Sequence, residues 1–201
     1  MNPQLMWYVS RSSGIIAWSL VTMSMCWGLF ISTKAVAKAS TPAWLLDFHR
    51  YLGGLSVVFT GVHLAGLVGD NYVYFGWAEL FVPMASEWQP GAVAFGVVGF
   101  YLLIAIEVTS LAMKRLPRRI WRWVHRSSFV LYFVATYHAI AAGTDAENLW
   151  FRMAALASVN IVAFLTVVLI LAKRKAALAN PRTPATKQTV GATRDTVRAG
   201  R

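Results

Sequence analysis

Five stretches of about 20 mainly apolar residues, at 13–32, 47–68, 91–113, 121–142 and 149–172, dominate this chain. That is the length an α-helix needs to cross a hydrocarbon core of about 30 Å, because each residue advances the helix by about 1.5 Å. Hydrocarbon offers no partner to a bare N–H or C=O, so runs this long and uniformly apolar cross as helices that bond their own backbone. Composition agrees: 57% of the 201 residues are hydrophobic and 13% charged, against about 25% charged in soluble domains. Mean hydropathy is +0.52. Tryptophan and tyrosine gather near the ends of the runs (Trp7, Tyr8, Trp44, Trp121, Trp123, Trp150), where amphipathic rings sit at the membrane–water interface.

The connecting segments alternate in charge. Lys34, Lys38 and Arg50 follow the first run, and Lys114, Arg115, Arg118, Arg119, Arg122 and Arg126 lie at the junction of the third and fourth. Lys173, Arg174 and Lys175 follow the fifth. The link between the second and third runs holds Asp70, Glu79 and Glu87 with no Lys or Arg, and Asp145 and Glu147 stand between the fourth and fifth. Cytoplasmic loops collect Lys and Arg. The expectation is an all-α membrane protein, a five-transmembrane-helix bundle with its N-terminus outside and its C-terminus cytoplasmic. Residues 1–172 would form the bundle and 173–201 a basic, disordered cytoplasmic tail. The aromatic segment 71–84 is too short to span and reads as a helix lying at the outer interface. A net charge of +11 and a pI near 10.3 would suggest nucleic acid in a soluble chain; here they mark membrane orientation, and the expected partner is the lipid bilayer, with no nucleic acid. The single cysteine, Cys26, rules out an intrachain disulfide, a cysteine-ligated iron–sulfur cluster and a cysteine zinc site.

All four histidines fall in the second and fourth runs. His49 and His63 are 14 residues apart and His125 and His138 are 13 apart, so each pair spans about 20 Å along its helix. The two helices run in the same direction in this topology, which sets His49 level with His125 and His63 level with His138. Paired imidazoles fill both axial sites of a haem iron, and two haems about 20 Å apart would bridge most of the bilayer. Buried histidines hydrogen-bonded to their neighbours are the bland alternative, but four in two matched pairs fit it poorly. One detail resists: 14 residues return to nearly the same helix face, whereas 13 end about 140° away. The fourth helix must be locally over- or underwound, by a π-bulge for instance, or its two ligands face different sides.

Small residues near the histidines (Gly53, Thr60, Gly66, Ser128, Ala135, Ala141, Ala142) suit either a bulky planar ligand or close helix packing. Phe59, Phe129, Tyr132 and Phe133 stand between the two levels, either between the cofactors or simply in the core. Glu107 lies inside the third run; a carboxylate there calls for a partner or a neutral form, and could pair with Arg50, Arg122 or Arg126 or take a proton from a quinol. Arg50 and Arg126 each follow a histidine directly. With Arg118 and Arg122 they could hold haem propionates, or serve only as positive-inside residues.

Taken together, Phe48-His49-Arg50 with His63, and His125-Arg126 with His138, resemble the ferric reductase-like transmembrane domain, the family of ferric reductases and NADPH oxidases. The likeness covers nearly all five helices. It implies two b-type haems, with iron bound by His49 and His125 at the inner level and by His63 and His138 at the outer. The 13-residue spacing is what the family shows. The resemblance also implies that Arg11, in Ser10-Arg11-Ser12-Ser13-Gly14, approaches the outer haem. Two departures matter. Where superoxide-forming members have a further histidine one turn past the outer ligand, this chain has Leu67. No G-x-G-x-x-G follows the last helix, so no FAD- or NAD(P)H-binding domain is expected. The chain is similar to stand-alone bacterial haem subunits of the inner membrane, multi-pass proteins that are one component of an oxidoreductase. It would pass electrons from a cytoplasmic or membrane donor to an extracytoplasmic acceptor. The donor would be a separate reductase, an FMN-binding protein or a quinol, so a flavin or quinone would come from a partner. The alternatives are a quinol-linked haem subunit of a periplasmic reductase of the methionine sulfoxide reductase type, and a cofactor-free structural membrane subunit.

Overall fold

Apolar runs bounded by proline and basic turns become helices in the computed structural model, which describes residues 4–37, 42–70, 75–145 and 147–179. The helices are α1 (Leu5–Val36), α2 (Ala43–Gly69), α3 (Trp77–Phe81), α4 (Pro90–Leu111), α5 (Arg118–Arg126), α6 (Ser128–Ala141) and α7 (Leu149–Ala179). No strand occurs among the described residues. Among the described residues, four helices are long and apolar enough to cross a membrane: 5–35 of α1, α2, α4 and α7. This is a multi-pass membrane protein of helical architecture, and its surface fits a bilayer: Phe133, Phe164 and Leu171 are each more than half exposed, a cost in water but none in lipid.

The remaining apolar run, 121–142, is present as two helices, α5 and α6, parted at Ser127. Neither half alone has the length of a span. Ser127 turns its hydroxyl onto the Val124 carbonyl at 2.6 Å, and its N–H reaches the same oxygen at 3.0 Å. That i→i−3 bond tightens the turn, so this helix is locally overwound rather than π-bulged. The tightening lies between His125 and His138 and supplies part of the missing phase. Pro117 sets the entry to α5 and Pro90 occupies the first turn of α4, the positions where proline costs a helix nothing.

Three boundaries differ from the sequence expectation. α1 starts at Leu5 rather than near residue 13, which draws Ser10 and Arg11 into the helix. Residues 71–74 of the expected interfacial helix 71–84 lie outside the described residues; among the described ones Trp77–Phe81 is helical, and Pro83 follows with Met84 at φ 71°. α7 continues to Ala179, so the first seven residues of the expected tail are helix, and 180–201 lie outside the described residues.

α1 is the hub, packed most extensively on α2 and also on α6 and α7, while α4 packs on α6. The backbones of α2 and α5–α6 scarcely approach one another. A slot therefore runs between the two histidine-bearing helices, walled by α1 on one side and α4 on the other. One core cluster, Met25, Leu29, Tyr132, Val162 and Leu169, ties α1 and α6 to α7. Tyr132 is fully buried and shares a 2.8 Å hydrogen bond with the Ser158 hydroxyl. Tyr132→Phe should cost about 0.5–1.5 kcal/mol, measured as a small fall in Tm in detergent; an unchanged Tm would mean that water or lipid replaces the bond.

Candidate functional site

The slot holds both histidine pairs. The rings of His49 and His125 lie 6.0 Å apart between centroids, at 79° to each other, and those of His63 and His138 lie 6.4 Å apart at 78°. No hydrogen bond links the rings within either pair. A metal between two imidazoles, held about 2 Å from each nitrogen, puts the ring centroids roughly 6 Å apart. Both pairs have that separation, and they occupy two levels of the same slot.

Neighbouring helices fix how each ring stands. His63 Nδ1–H donates to the Ser10 carbonyl at 2.8 Å, with the Ser10 hydroxyl 3.3 Å away. His138 Nδ1–H donates to the Ala92 carbonyl of α4 at 2.8 Å. The Ser24 hydroxyl lies 3.3 Å from His49 Nδ1. Such bonds set the tautomer and leave Nε2 bare for a metal. His125 differs: its Nδ1 is buried with no partner, as is Nε1 of Trp121, the indole stacked on it at 5.1 Å.

Glycine makes room for three of the rings. A Cβ at Gly14 would stand 2.9 Å from His63 Nδ1, one at Gly28 would stand 3.2 Å from His49 Cε1, and one at Gly96 would stand 2.6 Å from His138 Cε1. Ser10 and Gly14 recur as Ser24 and Gly28, shifted by 14 residues, the interval between His49 and His63. Because α1 runs antiparallel to α2, each Ser-x-x-x-Gly unit meets one histidine. This repeat was the sequence signal for the α1 wall. By contrast, Gly66 serves helix packing, facing the Ser10 backbone, and Gly53 abuts the Glu107 carboxyl.

Two cavities open onto the pairs. The one at His63 and His138 has a volume of about 270 Å³, and Thr60, Leu67, Ala135 and Ala142 line it. The one at His49 and His125 has about 290 Å³, with Arg122, Arg126, Lys173 and Glu107 in its lining. Val21, Leu103 and Leu131 line both and form the partition. Of the two readings of the aromatic residues between the levels, the core reading fits Tyr132, which is in the core cluster with Phe129 packed against it; Phe133 faces outward, Phe59 lines neither cavity, and Phe129 lines only the second.

The arginines separate into three cases. Arg126 lines the second cavity and lies over the Trp123 ring. Arg50 pairs with Asp47 one turn back at 3.2 Å, mostly exposed, and does not line the cavity. Glu107 has no ion pair with Arg50, Arg122 or Arg126. Arg11 lines the first cavity, covers Trp7, and clasps Asp145 through two contacts, Nε to Oδ2 at 2.7 Å and Nη2 to Oδ1. Asp145 was not singled out from the sequence, since 134 residues separate it from Arg11. The clasp ties α1 to the loop before α7, and the arginine's hydrogen bond holds the Asp145 carboxyl below its ordinary range. A depressed carboxylate contributes stability that is full above its unfolded value of about 3.9 and fades as pH falls through the lower folded one. Asp145→Asn should therefore flatten the decline of Tm below about pH 4; an unaltered acid profile would show that the clasp does not couple to folding.

The residues fit haem. Two imidazole donor sets stand at metal-bridging separation, three glycines leave space where side chains would intrude, and cationic groups suited to propionates line one cavity. No cluster of three or more His, Cys, Asp or Glu suited to a bare ion occurs among the described residues, whereas haem iron needs only two protein ligands. A family model described as ferric reductase like transmembrane component matches residues 13–136. Nothing among the curated proteins or the solved structures matches this chain.

Proposed function

This chain belongs to the ferric reductase-like transmembrane family, and from that premise we propose that it is a transmembrane electron carrier with two b-type haems, His49 and His125 binding one iron and His63 and His138 the other. The observation that carries this reading is the paired geometry: centroid separations of 6.0 and 6.4 Å at two levels of one slot. When bound, haem would supply a one-electron couple, and holding each iron by two of these histidines would suit electron exchange rather than oxygen binding. The α1 and α4 carbonyls orient the rings. Val21, Leu103 and Leu131 keep water out of the gap between levels. Arg122, Arg126 and Lys173 would neutralise propionates at one level; at the other Arg11 would have to divide its donors between Asp145 and a propionate, and Arg50 would have to turn away from Asp47 to take part.

In this reading α5–α6 together make the fifth crossing. The basic junctions put the His49/His125 level on the cytoplasmic side of a bacterial inner membrane and the C-terminus inside. Electrons would pass from a cytoplasmic or membrane donor to an extracytoplasmic acceptor. Low-temperature electron paramagnetic resonance of the oxidised protein should show two low-spin ferric signals. A single high-spin signal would contradict paired ligation.

Glu107 favours a second version, in which a quinol is the donor. It is an unpaired carboxylate in the lining of the His49/His125 cavity, placed to receive a proton as a quinol is oxidised. A soluble quinol analogue should then reduce the haem directly, and Glu107→Gln should slow that reduction several-fold. Reduction only by a flavoprotein would remove this version and leave the haem assignment intact.

A further inference from the structure

The two levels differ in how their histidines are held. At His63 and His138, both Nδ1 atoms donate to main-chain carbonyls at 2.8 Å. At the other level His49 meets Ser24, but His125 Nδ1 is buried and bonded to nothing. An imidazole that donates its second N–H becomes a more basic metal ligand, and a more basic ligand favours the ferric over the ferrous ion. The doubly anchored level is thus the harder one to reduce.

Charge acts independently in the same direction. Arg122, Arg126 and Lys173 line the His49/His125 cavity against Glu107 alone. In the other cavity Arg11 stands against Asp70, Glu79 and Asp145. Positive charge near an iron favours its less positive ferrous state, negative charge the ferric, and low-dielectric surroundings strengthen both effects. Glu107, ionised or neutral, leaves cations in excess at its level.

We propose that the His49/His125 level has the higher reduction potential, so that a chain carrying one electron holds it there. The His63/His138 level then fills only as a second electron arrives. Transfer from the His49/His125 level to the other is then uphill, and waits for an acceptor or a second electron. This ordering rests on the two-haem reading.

Spectroelectrochemical titration of the purified full chain in nanodiscs tests it. The wild type should titrate in two waves. His138→Ala should retain the higher wave and His125→Ala the lower. Trp121 lies one turn before His125 and covers its ring, so Trp121→Gln brings an amide oxygen within reach of the orphaned Nδ1–H. It should lower the higher wave alone, while Trp121→Phe, which stacks without accepting, should leave it nearly in place. This pair decides the matter if a histidine variant loses both haems. Fewer than two haems in the wild type would overturn the two-haem reading itself. Two haems with the waves reversed or coincident, or a Trp121→Gln shift that is absent or falls on the lower wave, would overturn the ordering alone.

Discussion

His138→Ala is expected to yield a folded chain that binds one haem in place of two. The substitution removes an imidazole at the wall of a cavity of about 270 Å³ and leaves little else unsatisfied. The Ala92 carbonyl lies within α4 and keeps its helical hydrogen bond, and alanine is the best helix former for the vacated site in α6. The His49/His125 level is about 20 Å away along the helices, far enough for effects to be independent. Haem extracted per chain should fall by half, and the remaining absorption should keep its low-spin form. Retention of both haems would show that His138 is not a ligand. Loss of both would show that the levels are assembled cooperatively rather than separately.

Gly96→Ala should produce a comparable loss by a different route. A Cβ there would lie 2.6 Å from His138 Cε1 and 2.7 Å from its Nδ1, closer than atoms can approach. The ring cannot simply swing aside, because it is fixed by the Ala92 carbonyl and must face His63. Alanine is also favoured over glycine by about 1 kcal/mol in a helix interior, which offsets part of the strain, so the Tm of the haem-free chain should change little while haem at the His63/His138 level is lost. That opposition separates a steric effect on the site from damage to the fold. Gly99→Ala is the control: its nearest contact would be Val134 Cγ1 at 3.6 Å, ordinary van der Waals distance, and both haems should remain. Haem loss from both variants alike would mean that α4 tolerates no added bulk, and the specific role of Gly96 would fall.

Much of this arrangement was legible in the sequence because a membrane simplifies the physics. Hydropathy alone located the runs, since hydrocarbon leaves a spanning segment little choice but helix. The depth-matching of His49 with His125 and of His63 with His138 follows from helix rise and helix direction. Helical phase was another matter. The 13-residue interval resisted an ideal helix because the chain tightens at Ser127, and one serine hydroxyl turned onto Val124 leaves no trace in hydropathy. The α1 wall is hidden in the sequence for a related reason. Ser10, Gly14, Ser24 and Gly28 look like ordinary small residues of a packed helix until α1 is known to lie antiparallel against α2, when their 14-residue repeat meets the histidines. Long-range pairings such as Arg11 with Asp145 depend on how a loop folds over the bundle, which no local pattern encodes. Arg50 shows the converse: it follows a histidine directly, yet successive helical side chains point about 100° apart, and it turns to Asp47 instead.

The electron-carrier function depends on the two histidine pairs holding iron. The haem-to-protein ratio of the full chain, purified from haem-replete cells and measured by haem extraction against amino-acid analysis, tests that most directly. A ratio of two, with a reducible Soret band, is expected. A colourless protein with a ratio near zero would contradict it.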